Sequence, residues 1–85
     1  MRYNLYKIMV KNQEVDNYAG FMVASHSIPD ALEIIYEYVC MKDGKVVRDI
    51  PYVLRSSNMD IKCLGEFVPT TPLASAILMI DYYSA

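Results

Sequence analysis

Long apolar runs are missing from this chain of 85 residues. Its longest, "ASAILMI", falls far short of the roughly 20 residues that a membrane-spanning helix needs. The start, "MRYNLYKIMVKN", carries a charge but no apolar stretch and no cleavage site of the kind a secretory signal requires. No basic cluster is present either. Eight Lys and Arg stand against ten Asp and Glu, a net charge of -2, and the closest grouping is Lys42, Lys45 and Arg48. Phosphate-backbone recognition needs clustered cations, so a nucleic-acid binder working through a basic patch is excluded. The acidic excess is equally too small for a mimic of DNA. With one histidine and two cysteines, a closed zinc site could form only with several carboxylates. The cysteines, Cys40 and Cys63, make no CxxC, and the expectation is two buried free thiols in a reducing cytoplasm. There is no glycine-rich loop, no G-x-S-x-G elbow, no internal repeat, no low-complexity tract and no linker.

What is abundant is apolar side chain. Hydrophobic residues make up 54% of the chain and the mean hydropathy is positive. A chain this short forms one domain, residues 1–85, and leaves a large share of its surface wet. One helix can cover only part of one sheet face. Surplus apolar surface on a small domain belongs in an interface, which predicts a homo-oligomer.

Residues Tyr3 to Val10, "YNLYKIMV", alternate as a strand does, with Tyr6, Ile8 and Val10 on one face and Tyr3, Leu5, Lys7 and Met9 on the other. Both faces are partly apolar, which predicts a central or doubly covered strand. A short polar link, "KNQEVDN", then leads into "YAGFMVAS", so the two strands form an antiparallel hairpin. Gly20 within the second marks a bulge or a close backbone approach. Ile28, Ala31, Leu32, Ile35 and Val39 recur at helical spacing and form one apolar stripe. Ser27 followed by Asp30 reads as a capping pair, with Pro29 tolerated in the first turn. Lys42, Asp43 and Gly44 read as the stop. In "KVVRDIPYVLRSSN", Val46-Val47 could be a short strand and Asp49 could cap a helical turn over Ile50 to Leu54; Pro51 argues against a central strand. "MDIKCLGEFV" and "ASAILMIDYY" read as two further strands, joined by "PTTP". The last is apolar on both faces, as a buried central strand would be. The order β-β-α-β-β, one helix between two hairpins, predicts an α+β fold, a mainly antiparallel sheet of about four strands with one principal helix packed on one face. Tyr3, Met9, Met22, Met79, Tyr82 and Tyr83 are candidates to cover the other face.

Chemistry-bearing constellations are few. The strand-to-helix junction Ser25-His26-Ser27 could hold a phosphate or carboxylate, because a helix N-terminus offers unpaired N–H groups and His26 a switchable charge. Against this, Ser27 is expected to cap the helix, and Asp30 occupies the place an anion would take. Asp30, Glu33 and Glu37 share a helical flank that reads as a solvated acidic face rather than a metal site. Arg48 and Arg55 could bracket an anion, though such residues more commonly solvate a connection. No catalytic set assembles, and the chain is not expected to be an enzyme or to carry a cofactor.

The segments "YKIMV", "GFMVASHSIPDALEII" and "DIKCLGEFV" resemble small uncharacterised proteins of bacteriophages and mobile elements. In those a strand ending Val-Ala-Ser is followed by a polar cap and a helix starting (D/E)-Ala-x-E. The resemblance runs from Tyr6 to about Val68 and transfers no site residue. It implies a phage setting, in which proteins of this size act as accessory proteins or host-defence inhibitors. The expectation is therefore a small cytoplasmic, non-catalytic binding protein that inhibits or sequesters a host-defence component of a bacterial host, homodimeric through Leu5, Met9, Ile77, Met79, Tyr82 and Tyr83. The alternative is a module that binds an anionic ligand or nucleotide at Ser25, His26 and Ser27.

Overall fold

The computed structural model describes residues 2–46, 48–68 and 76–83. Four strands, β1 (Tyr3–Val10), β2 (Asn17–Ser25), β3 (Met59–Phe67) and β4 (Ala76–Tyr83), form one antiparallel sheet in the order β3-β1-β2-β4. The one α-helix among the described residues, α1 (Ile28–Asp43), packs on one face. The fold is α+β as the element pattern predicts. Residues 69–72, read as the joining "PTTP", and residues 74–75 of the expected last strand lie outside the described residues.

Two features of the sheet differ from expectation. β3 and β4 do not pair with one another; β3 adds to β1 and β4 to β2, so they close opposite edges. β4 is thus an edge strand and not the buried central one that its apolar sequence suggested. The physical reason is that α1 lies over β2 and β4, which gives β4 apolar neighbours on one face although no strand among the described residues pairs with its outer edge.

The helix is built from local signals. Ser27 adopts an extended backbone, and its Oγ accepts from the Asp30 N–H at 3.2 Å. The Ala31 N–H donates to the Ser27 carbonyl at 3.0 Å, which closes the first turn. Losing such a cap costs about 1 kcal/mol. At the other end Gly44 takes φ 70°, the Gly44 N–H donates to the Met41 carbonyl and the Lys45 N–H to that of Cys40. This is the Schellman arrangement that lets glycine end a helix. Ala31, Ile35, Val39 and Cys40 are buried. Ile28, which the stripe included, is 43% exposed, because it stands in the first turn beyond the sheet-facing part of the stripe.

The core joins Tyr6, Ile8 and Val10 of β1, Phe21 and Val23 of β2, the helical stripe, and Val53, Leu54 and Met59. Ile8, Ile35 and Leu54 have no exposed surface; each contributes about 1.5–3 kcal/mol by burial. Val53 and Leu54 belong to the segment least legible in sequence. It forms two 3₁₀ turns, Tyr52–Leu54 and Ser56–Asn58. The first begins after Pro51, not after Asp49, and Val46 stands outside any strand while Val47 lies outside the described residues. Pro51 presets the backbone for a turn and supplies the carbonyl that accepts from the Leu54 N–H at 2.9 Å. Buried Asn58 ties the segment to the hairpin. Its Nδ2 donates to the Val53 carbonyl at 2.9 Å, and its Oδ1 accepts from the Asn12 N–H at 3.1 Å and Asn12 Nδ2 at 3.0 Å.

Gly20 is both a close approach and part of a bulge. A Cβ there would stand 2.9 Å from the Ile8 carbonyl oxygen and 3.0 Å from Met9 Sδ. The β2–β4 register shifts beside it, between Tyr18 and Gly20. The bulge leaves Ala19 without a β4 partner and keeps Tyr18 opposite Tyr82.

Candidate functional site

The junction Ser25-His26-Ser27 is tied together by hydrogen bonds within the protein. Ser25, fully buried, donates from Oγ to the Ser27 carbonyl at 2.6 Å and accepts the Ser27 N–H at 3.3 Å. Ser27 Oγ holds the cap. The His26 N–H points to Asp30 Oδ2 at 3.5 Å, its Nδ1 lies 2.9 Å from the Arg2 carbonyl, and its ring stacks on Tyr3 at 4.4 Å. An anion entering here would have to displace Asp30 from the positive end of the helix.

Arg48 and Arg55 do come together, bordering a depression of about 400 Å³ with Tyr36, Ile50, Ser56 and Ser57. Both arginines are exposed, and the Arg55 guanidinium lies 5.4 Å over the Tyr52 ring. Burial raises the Tyr36 hydroxyl above its ordinary pKa, so it stays neutral beside them. Among the described residues, no three His, Cys, Asp or Glu side chains stand close enough to share a metal ion. No helix among them is long and apolar enough to cross a membrane.

The sheet face opposite the helix is more distinctive. The register sets its side chains in rows across β3, β1, β2 and β4. Asp60, Met9, Gly20 and Asp81 form one row; Lys62, Lys7, Met22 and Met79 form the next; Gly65, Leu5, Ala24 and Ala76 follow. Because Gly20 lacks a side chain, Met9, Met22 and Met79 surround a hollow of about 250 Å³, with Lys7 and Asp81 at its rim. Lys7 and Lys62 stand directly opposite each other. Like charges in that position repel, and an anionic group laid across the pair would relieve them.

The expected interface residues divide between surfaces. Leu5, Met9 and Met79 lie on this open face, and Tyr83, paired with Asn17, lies at its end. Ile77 pairs with Val23 and packs against the core on the helix side. Tyr82 is also on the helix side, edge-on to Tyr18 at 5.5 Å, with its hydroxyl donating to the Asp16 carbonyl at 2.6 Å. The shift in register at Leu78, one extra residue in β4, reverses the alternation that a plain strand would show. Of the other candidates, Met22 lies on the open face, and Tyr3 is buried beneath its contact with His26.

The cysteines also separate. Cys40 is buried and Cys63 exposed, which corrects the expected burial of both. Cys63 pairs with core residue Tyr6 but sits on edge strand β3, beyond the strands that α1 covers.

A second apolar surface lies between α1 and the outer edge of β4, a groove of about 530 Å³. Ile34, Tyr38 and Met41 line its helix wall and Leu78 its strand wall. Met41 is 77% exposed and Leu78 45%. Sequence inspection missed this surface because Ile34, Tyr38 and Met41 form a second stripe, at i, i+4 and i+7, next to the core stripe. Comparisons with protein-family models, curated proteins and solved structures returned no match.

Proposed function

We propose that the chain is a small, non-catalytic binding protein that acts by surface contact, with the open sheet face as its working surface. The observation that carries this reading is the methionine-lined hollow around Gly20, with Lys7 and Asp81 at its rim and Lys62 and Asp60 farther along the same rows of the sheet. Methionine adapts its shape to a partner, while fixed charges of both signs at the rim supply register and selectivity. A protein surface with an apolar protrusion and a carboxylate over the lysine pair fits that face. Within the phage setting implied by the resemblance, that partner is a bacterial host protein of the defence apparatus, and the chain works in the cytoplasm by sequestering it. The anion-binding alternative gains no support from the junction, whose serines and Asp30 are bonded to one another.

The test is affinity capture from a bacterial lysate with the wild type and with Met22→Lys, followed by mass spectrometry. A host protein held by the wild type and released by Met22→Lys supports the reading. Retention of the same proteins by both chains, or of none by either, overturns it.

A further inference from the structure

We infer that the outer edge of β4 pairs antiparallel with β4 of a second copy, and that the groove between α1 and β4 closes over that seam. This rests on the reading of the chain as a binding protein and specifies how two copies assemble. An edge strand carries a row of unpaired backbone N–H and C=O groups, which natural sheets protect with charges and bulges. β3, at the other edge, is guarded in this way. It carries Asp60, Lys62 and Glu66, and a register shift at Leu64–Gly65 with Gly65 at φ 134°. β4 carries one charge, Asp81, in eight residues. Its own extra residue, Leu78, lines the groove, and the five residues from Met79 to Tyr83 run on beyond it.

Exposed apolar surface is concentrated at the same edge. Leu78 is 45% exposed, Met79 61%, Tyr82 49% and Tyr83 43%. Met41, 77% exposed, stands across the groove from Leu78. A two-fold axis perpendicular to the sheet makes such an edge self-complementary, since one patch serves both subunits. It also keeps helix faces together, so that the two grooves merge and each is filled by the other copy's Leu78 and Met41. The register is constrained by charge. An axis through Ile80 sets Met79 beside Asp81 of the second copy, whereas an axis through Asp81 would place two carboxylates side by side. Eight residues of strand span about 27 Å. To hold a specific dimer, the seam and the groove closed over it must together bury at least about 1,000 Å². The two open faces then join into one surface across eight strands.

Sedimentation velocity on the purified chain, across a concentration series, tests this with a matched pair of variants. Leu78 and Leu64 are each 45% exposed, each at a register shift, on opposite edges. The wild type should run as a dimer. Leu78→Lys should weaken association roughly tenfold or more by placing an unpaired charge in the seam, and Leu64→Lys should leave it unchanged. Met41→Lys, at a helix position that folding does not use, should weaken association as Leu78→Lys does. Circular dichroism on each variant confirms the fold. A wild type that stays monomeric at high concentration overturns the inference. So does a dimer that survives Leu78→Lys, or one that dissociates with Leu64→Lys or Met22→Lys instead; the last would place the seam on the open face. The measurement uses the chain alone, so its failure is distinct from failure to capture a host protein.

Discussion

Gly20→Ala probes the point where the hairpin, the bulge and the open face meet. The added Cβ would meet the Ile8 carbonyl oxygen at 2.9 Å. That oxygen belongs to the backbone of a central strand paired on both sides, so it cannot swing away as a side chain would. Met9 Sδ, at 3.0 Å, can move. Overpacking of this kind costs about 1–3 kcal/mol. Replacing glycine by alanine returns about 0.4–1 kcal/mol by restricting the unfolded chain. The net loss should be about 1–2 kcal/mol, which for a domain of this size lowers Tm by roughly 5–15 °C. Thermal melts followed by circular dichroism at fixed protein concentration measure it. The same substitution fills the floor of the methionine-lined hollow, so capture of a partner should weaken even where the variant remains folded. A Tm equal to or above that of the wild type would refute the close-approach reasoning.

Ser27→Ala should cost about 1 kcal/mol in urea unfolding and leave partner capture intact; lost capture at unchanged stability would return function to the helix start. Asn58→Ala strips partners from the Asn12 N–H and the Val53 carbonyl, and should cost about 1–3 kcal/mol by the same unfolding measurement. Under native conditions Cys63 should label promptly with a thiol reagent, and Cys40 only once the chain is unfolded. The Tyr18 hydroxyl is held above its ordinary pKa of about 10, by burial first and then by Asp43, Tyr38 and Tyr82. Its stabilising effect is therefore complete below pH 10 and lost as pH rises through the folded value, so alkaline unfolding should be delayed in a Tyr18→Phe variant of otherwise normal fold.

What could be read from sequence was what local chemistry decides. The helix, its serine cap, its glycine stop and its buried stripe follow from residues within a few positions of one another. So does the Tyr3–Val10 alternation, which placed Tyr6, Ile8 and Val10 together in the core. Strand partners are set by contacts distant in sequence, and a link such as "PTTP" shows that two strands follow one another but not that they pair. β4 shows the limit most clearly. Apolar residues on both faces describe a central strand and an edge strand beside an open groove equally well. The extra residue at Leu78 then set Ile77 and Met79 on opposite faces, a shift no alternation pattern carries. Asn58 escaped notice because a lone asparagine after two serines reads as turn chemistry. Its role arises only when the fold brings Asn12, 46 positions away, against it.

The central claim is that the open face, and not the helix start, is where this protein binds. Isotope-labelled protein, observed by NMR while the captured host protein or millimolar nucleotide is added, separates the two directly. The account predicts that the protein partner shifts the amides of Lys7, Met9, Met22, Lys62 and Met79, while nucleotide or phosphate leaves residues 25–31 unmoved. Saturable shifts across residues 25–31 with the anion, and none on the open face with the protein, would contradict it.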